Sequence, residues 1–249
     1  MIRPQYAPCV RVTDRDVRRI LSAPINVRHW RALVGILRTF DDPGAALVRY
    51  VTNRGTYPWH PTLKTPLGAV EVTLADRHDL LTLNEIFCRR DYGSAGHQTV
   101  VDIGANVGFA SLFFLTRGSR TRVWAFEPDP ANIERLRENL SGFEARYTLF
   151  EMAVTAVETP TVQFVTAGRY GHVARATEAG VDLPAISIAR AVRDIARDSG
   201  PIDLVKIDTE GTESELLAAI PSDISIREIR YENNRGRVVR VRRRSALRA

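Results

Sequence analysis

Acidic residues stand at the ends of the apolar segments in the second half of the chain. They are Asp102 after "TVV", Glu127 after "RVWAF", Glu151 after "RYTLF", Asp208 after "IDLVKI" and Glu232 after "IREIRY". If these segments are parallel strands, their carboxyl ends meet on one rim of the sheet, where open α/β sheets bind their ligands. Solubility alone does not explain five acids on one rim, so the spacing predicts a ligand site.

The first of these acids leads into a glycine-rich turn, "DIGANVGF". Gly104, Asn106 and Gly108 separate the apolar segment from a run of helical character. The dinucleotide fingerprint G-x-G-x-x-G requires glycine where this chain has Asn106 and Phe109. Asp102 also opposes a pyrophosphate, because a carboxylate repels the anion that a helix N-terminus attracts. The turn therefore disfavours a nicotinamide dinucleotide.

A cationic cofactor fits the same residues better. S-adenosylmethionine carries a sulfonium, an ammonium and a carboxylate, and no phosphate. Asp102 can attract its positive end directly or through water, although a helix-capping acid is the alternative interpretation. Gly104 permits a tight turn close to the ligand, and Gly108 permits close packing of the next helix. Glu127 can accept the ribose hydroxyls, as the acid does in nucleotide folds, and Glu151 is placed towards the adenine edge.

The segment "KIDTEG" supplies the candidates for chemistry. Transfer of a methyl group to a hydroxyl requires positioning of the acceptor and a base or a group that stabilises an alkoxide. Asp208 is the first choice for orienting the acceptor or taking its proton. Lys206 shares a strand face with it and could hold it ionised or stabilise the alkoxide, or be a plain ion-pair partner. Glu210 is the third candidate, although a carboxylate near a helix start is stabilised regardless of function.

Other polar residues are assigned more weakly. Glu232 could line the acceptor pocket. His172, in a polar stretch expected to be irregular, is a candidate base or a surface histidine. Glu213 is expected to face water. The acids near Asp208 could bind a divalent cation through oxygen, but nothing in their spacing requires one, so no metal is expected.

At this point the chain resembles a known family. "VVDIGANVGFASL", "FEPDPANIERLRENL" and "IDLVKIDTEGTESELL" are similar to segments of the FkbM family of S-adenosylmethionine-dependent methyltransferases, and "KIDTEGTE" is the most specific of them. The upstream "GAVEVTL" and "DLLTLNEIFCRRDY" extend the resemblance to roughly residues 62–232. It implies O-methyl transfer to a hydroxyl of a small molecule, sugar, glycolipid or polyketide-type product. It also implies a helix over the cofactor pocket, with Tyr92 as a contact.

Two alternatives stay open beside this function. One is a relative that binds the cofactor but is catalytically weakened. The other is an RNA-modifying methyltransferase that uses the C-terminal "RGRVVRVRRRSALRA", which holds seven arginines and no acid. The chain's formal charge of +6 becomes −1 without those seven arginines, so the body of the protein is nearly neutral. A small-molecule or glycan acceptor is therefore expected rather than nucleic acid.

Alternation of strands and helices after residue 97 predicts the architecture. We expect an α/β, Rossmann-like class I methyltransferase fold with a mostly parallel sheet and helices on both faces. The predicted organisation is a helical and β-hairpin extension over 1–96, the cofactor domain over 97–234 and a basic tail over 235–249. After the fifth strand "VVRVR" provides at most one short strand, so the C-terminal end is shortened. The open edge makes a homo-oligomer one expected outcome.

Within the extension, "TDRDVRRILS" and "NVRHWRALVGILRTF" are predicted helices, and a hairpin is predicted about Pro66, Leu67 and Gly68. One face of the second helix is predicted to carry Val27, Trp30, Leu33, Val34 and Leu37. On a later helix the residues expected to face inward are Leu80, Leu83, Ile86 and Phe87. No segment approaches the roughly 20 apolar residues of a membrane helix, and the N-terminus lacks a signal-like apolar core. We expect a cytoplasmic protein with Cys9 and Cys88 as reduced thiols.

Overall fold

The computed structural model describes residues 27–93, 96–167, 170–173, 180–209, 211–233 and 237–242. The helices are α1 (Val27–Thr39), α2 (Pro43–Thr52), α3 (Arg77–Leu83), α4 (Phe109–Leu115), α5 (Pro130–Asn139), α6 (Ile188–Ser199) and α7 (Glu213–Ala219). The strands are β1 (Thr62–Thr65), β2 (Gly68–Glu71), β3 (Thr99–Ile103), β4 (Arg122–Phe126), β5 (Tyr147–Phe150), β6 (Ala153–Thr155), β7 (Thr161–Ala167), β8 (Tyr170–Val173), β9 (Val181–Ser187), β10 (Ile202–Ile207), β11 (Ile226–Asn233) and β12 (Arg237–Arg242).

A six-stranded sheet with the order β12-β11-β10-β3-β4-β5 forms the centre. β11 and β12 pair antiparallel, and the other neighbours pair parallel. The strand order reverses between β3 and β10, where Asp102 and Lys206 lie side by side. All five residues of β3 are buried, as expected of a strand covered on both faces. The predicted Rossmann-like α/β fold is confirmed.

Each face of this sheet carries its own apolar core. One core joins α4 and α5 to the N-terminal elements, and its members include Phe87, Phe113 and Leu136. The other joins α6 and α7 to the opposite face through residues such as Val192 and Leu216. Burial on both faces fixes the strand ends relative to one another, and those ends hold the acids noted above.

The predicted apolar face of α1 is turned mostly away from the core. The helix buries Ala32, Gly35, Ile36 and Thr39, whereas Val27, Trp30, Val34 and Leu37 are exposed and Leu33 is half-buried. Gly35 explains the orientation, because a Cβ at this position would overlap Cys88. Only the small side of the helix can approach that neighbour so closely, so the larger apolar side chains are turned outward.

The rest of the extension agrees with the sequence. β1 and β2 pair antiparallel, with Thr65 opposite Gly68 across the predicted turn. α3 continues as a π-helical turn, Asn84–Cys88, which leads to Tyr92. The four residues predicted to face inward on this segment are buried: Leu80, Leu83, Ile86 and Phe87.

A second sheet corrects the irregular stretch predicted before α6. Its order is β6-β9-β7-β8, and β7 is paired antiparallel on both sides. His172 therefore lies in a strand, opposite Val165, and not in a loop. Pairing on both sides supplies β7 with backbone hydrogen bonds from strands that the sequence did not identify as its partners. α6 begins only at Ile188, because the Ser187 side chain accepts a hydrogen bond from the Arg190 amide as its N-cap.

The C-terminal arginine-rich segment contributes β12, which confirms the single short strand. This strand pairs with β11 from Glu228–Arg242 to Asn233–Arg237, so part of the predicted tail belongs to the central sheet. The predicted helix "TDRDVRRILS", Cys9 and Glu210 lie outside the described residues. Within the described ranges, none of the helices has the length and apolar character needed to cross a bilayer.

Candidate functional site

The turn after β3 uses all of its own backbone donors within the protein. Such turns bind phosphate when their N–H groups point outward. Here each N–H from residue 104 to residue 108 has an internal acceptor at 2.8–3.0 Å. The pairs are Gly104 and Ala105 to the Phe126 carbonyl, Asn106 to Glu127 Oε2, Val107 to Asn106 Oδ1, and Gly108 to the Ala105 carbonyl. A pyrophosphate would find no free backbone donor in this turn.

Two glycines give the turn its shape. Gly104 has φ +73°, and a Cβ there would overlap the Asp208 carbonyl oxygen. Gly108 has φ +86° and lies close to Leu136 of α5. Asn106 also adopts a left-handed conformation, φ +51°, which asparagine tolerates better than most residues. The turn is therefore held close to the end of β10.

Asp102 is the buried centre of a charged network. Its carboxylate is 0% exposed; Oδ2 accepts a hydrogen bond from the Ser111 hydroxyl at 2.7 Å, and Oδ1 lies 3.0 Å from Lys206 Nζ. The ammonium also donates to the Gly104 carbonyl at 2.7 Å and lies 3.5 Å from Asp208 Oδ2. The predicted direct attraction between Asp102 and a ligand does not match this burial, because its two oxygens already face a hydroxyl and an ammonium.

Asp208 is the member of this network that reaches the rim. Its side chain is 32% exposed, compared with 3% for Lys206. Tyr92 donates a hydrogen bond from its hydroxyl to Asp208 Oδ2 at 3.2 Å. The structure thus joins four residues from three separate segments: Tyr92, Asp102, Lys206 and Asp208.

Protonation states in the network follow from burial and charge. Burial opposes the charged form of Lys206, but the carboxylates of Asp102 and Asp208 raise its pKa above the usual lysine value. Burial, followed by the charges of Asp208, Asp102 and Glu232, raises the pKa of Tyr92 well above its usual value. At neutral pH Lys206 is therefore an ammonium and Tyr92 a neutral phenol. Both act as donors, and neither can serve as a base.

Glu127 follows β4 on the same rim and is 5% exposed. Oε2 accepts from the Asn106 amide, and Oε1 accepts from the Asp129 amide at 3.1 Å and the Asn132 side chain at 3.2 Å. Burial raises the pKa of Glu127, and these hydrogen bonds oppose the rise. Each carboxylate oxygen has two lone pairs, so Oε1 is fully used and Oε2 can accept one further hydrogen bond. The turn and Glu127 are thus fixed relative to each other.

The remaining predicted site residues lie on or after other strands: β5, β11 and β8. Glu151 follows β5, is about half exposed and forms an ion pair with Arg137. Glu232 lies on β11 and acts electrostatically on Tyr92. His172 lies on β8, in the second sheet.

Three features escaped the sequence interpretation. Ser111 holds Asp102 from one turn into α4, a position that helical spacing alone did not distinguish. Glu213, expected to face water, is 7% exposed and accepts hydrogen bonds from the amides of Thr209 and Gly211. It thereby shapes the loop after β10. Buried Arg230 and Glu228 form an ion pair on β11.

In the described part of the chain, no cluster of three or more histidine, cysteine or acidic side chains could hold a metal.

Comparison with known proteins places these features in a family. The family profile described as "Methyltransferase FkbM domain" matches residues 102–240, more than half of the chain. The 2-O-methyltransferase NoeI of Sinorhizobium fredii is 27% identical over 137 residues, 48% of this chain and 56% of that protein. AMB antimetabolite synthetase AmbE of Pseudomonas aeruginosa is 32% identical over 103 residues, 36% of this chain. The chain spans about half of NoeI and 5% of AmbE.

Among solved structures, cofactor-bound Rv0187 from MTB has a TM-score of 0.34 and 15% identity. The match covers 90% of this chain and 74% of that one.

Proposed function

Because the chain belongs to the FkbM methyltransferase family, we propose that it transfers a methyl group from S-adenosylmethionine to a hydroxyl oxygen. The acceptor class that fits is a small molecule, sugar, glycolipid or polyketide-type product. The observation that carries this proposal is Asp208, a partly exposed carboxylate beside the glycine turn that is backed by a buried ammonium and a phenol.

The proposed cofactor is supported by the hydrogen bonds that the backbone N–H groups of the turn make. Its five backbone N–H groups are all used internally, so the turn suits a cofactor without phosphate. Gly104 and Gly108 let the turn lie close to the end of β10 and to α5, because a Cβ at these positions would press on Asp208 and Leu136. Glu127 is fixed against the turn, and one lone pair of its Oε2 remains for a ribose hydroxyl. These residues would hold S-adenosylmethionine, and the bound cofactor supplies an electrophilic methyl group.

The proposed transfer to a hydroxyl is supported by the exposure of Asp208 and by the two donors that hold its carboxylate. A hydroxyl is a weak nucleophile at neutral pH, so its proton must go to a base as the oxygen attacks. Asp208 is the exposed carboxylate of the network and would orient the acceptor hydroxyl and receive this proton. Lys206 and Tyr92 donate towards the same Oδ2 and hold the carboxylate in place. Orientation of this kind contributes strongly to displacement reactions.

The arginine-rich C-terminus gives less support to an RNA substrate. β12 lies in the central sheet, and Arg240 forms an ion pair with Glu228 at 2.6 Å. At least this arginine serves the fold. We therefore keep a hydroxyl-bearing small molecule or glycan as the proposed acceptor.

The test is methyl transfer from S-adenosylmethionine to a panel of mono- and oligosaccharides, glycolipids and aliphatic alcohols, followed by release of S-adenosylhomocysteine. Asp208→Asn should lower kcat at least about a hundredfold, in the range of a lost general base, with cofactor affinity nearly unchanged. Asp198→Asn, an exposed carboxylate on α6, is the matched control. Equal kcat for Asp208→Asn and the wild type on an accepted substrate would remove Asp208 from this role.

A further inference from the structure

The outward face of α1 is an apolar stripe. Val27, Trp30, Val34 and Leu37 are 64%, 55%, 40% and 55% exposed. Their spacing of three, four and three residues places them on one side of the helix, and we call them the α1 stripe. Soluble monomers seldom expose contiguous apolar patches of this kind unless the patch binds a partner.

Arginines accompany the α1 stripe. Arg31 and Arg38 on α1 and Arg90 across from it line a groove of about 360 Å³ together with residues of the stripe. Among the described residues that line this groove, none is acidic. Within the described ranges, Arg31, Arg38 and Arg90 form no ion pair. Arg90 also adopts a left-handed φ of +57°, a conformation that costs free energy in a residue other than glycine.

The positive charge of this surface favours some binding partners over others. A second copy of the chain would bring the same arginines against it. Residues 1–26 hold five arginines and two aspartates, so they too would bring net positive charge. An anionic partner avoids this repulsion. An acidic protein face would match the charge as well, but here arginines that form no ion pair within the described ranges flank an exposed apolar stripe that contains a tryptophan. That pattern is typical of a helix lying in the interface of an anionic bilayer.

We propose that the α1 stripe docks the protein on an anionic lipid bilayer. The four apolar side chains enter the boundary between headgroups and acyl chains, and Arg31, Arg38 and Arg90 contact lipid phosphates. α1 packs through Gly35 against Cys88, at the end of the π-helical turn that leads to Tyr92. The docking surface and the candidate site are therefore built on the same segment. This inference does not depend on methyl transfer, and its test does not use it.

The first test is co-sedimentation of the full chain with vesicles of phosphatidylcholine, with and without phosphatidylglycerol. We expect binding only to the anionic vesicles. Arg31→Glu/Arg38→Glu should lower the partition coefficient by more than about tenfold, since each basic residue near such a surface contributes roughly 1 kcal/mol. Arg120→Glu/Arg122→Glu changes the charge equally at two other exposed arginines and should have a much smaller effect.

A second pair of double variants tests how much the apolar side chains contribute to vesicle binding. Val34→Ser/Leu37→Ser should also weaken sedimentation with anionic vesicles. Val157→Ser/Val181→Ser, which alters two even more exposed valines elsewhere, should leave it unchanged. Thermal melts of all variants establish that each is folded. If both charge reversals, or both serine pairs, reduce binding equally, the α1 stripe is not the docking surface.

Trp30 reports insertion directly. With Trp59 and Trp124 replaced by phenylalanine, its emission should shift to the blue on addition of anionic vesicles and become shielded from acrylamide. Two results would overturn the proposal. Trp30 already shielded without lipid would mean that residues 1–26 or a second copy cover the α1 stripe, and light scattering separates these. Sedimentation with unchanged Trp30 emission would assign the binding to the C-terminal arginines.

Discussion

Replacement of Lys206 by methionine tests the buried network most severely. Lys206 is 3% exposed and Asp102 is 0% exposed, so water does not reach the Asp102 carboxylate. Among the described residues, the Lys206 ammonium is the one cation within ion-pair distance of it. After the substitution, the Ser111 hydroxyl remains as the hydrogen-bond partner of that carboxylate. Removal of one partner of a buried ion pair costs about 3–5 kcal/mol, because the other charge is left uncompensated.

We expect Lys206→Met to lower the free energy of unfolding by about 3–5 kcal/mol at pH 7. For a chain of this size that corresponds to a fall in Tm of about 6–20 °C. Urea denaturation followed by tryptophan fluorescence, together with thermal melts, measures both quantities. The double variant Asp102→Asn/Lys206→Met should recover a large part of the loss, since no uncompensated charge remains.

The pH dependence of this pair has a defined sign. The pKa of Lys206 is raised in the folded protein, so its contribution to stability is fully present below the unfolded lysine pKa of about 10.4. It is lost as the pH rises through the folded value. The difference between wild type and Lys206→Met should therefore be constant from pH 6 to pH 9 and shrink only in alkali. A single variant as stable as the wild type within about 1 kcal/mol would refute the reasoning.

Three further outcomes follow from the same geometry. Gly104→Ala should lower the free energy of unfolding by more than about 2 kcal/mol, because the new Cβ would overlap the Asp208 backbone in addition to the strain of a left-handed φ. Gly142→Ala is the control in urea titrations: its φ is similar, but a Cβ there meets no neighbour, so it measures the backbone strain alone. Tyr92→Phe should reduce kcat about tenfold, the value of one lost hydrogen bond, with S-adenosylhomocysteine affinity within about twofold in calorimetry. Burial raises the pKa of the Cys88 thiol to about 12, so in a Cys9→Ser variant Ellman's reagent should react at pH 8 only after denaturation.

The sequence predicted the central sheet well, because its signals are local. β3 and β10 are short apolar runs that end in polar residues, and β-α alternation leaves few ways to order them. Asp102, Gly104, Lys206 and Asp208 meet for the same reason: residues at the carboxyl ends of adjacent parallel strands share a rim. Tyr92 was predicted from family resemblance as a contact of the cofactor pocket, which stays a prediction; its hydrogen bond to Asp208 was not predicted.

Features that depend on tertiary contact were not predictable in this way. The apolar face of α1 was predicted from helical spacing, but the approach of Cys88 to Gly35 decided its orientation. Glu213 was assigned to water because it lies beyond the start of its predicted helix, whereas two backbone amides of the preceding loop draw it inward. β7 and β8 were not predicted as strands, and antiparallel pairing stabilises them. In each case the deciding partner is remote in sequence or lies on the backbone.

The central claim, a cofactor without phosphate bound between the glycine turn and Glu127, is tested most directly by calorimetric titration with S-adenosylhomocysteine. Glu127→Gln should weaken binding at least about tenfold, the loss expected of a charge-assisted hydrogen bond. Glu134→Gln, an exposed position on α5, should bind like the wild type. Micromolar binding by the wild type, weakened only in the first variant, is the predicted result. No binding by a folded wild-type chain, or equal binding by both variants, would contradict the account.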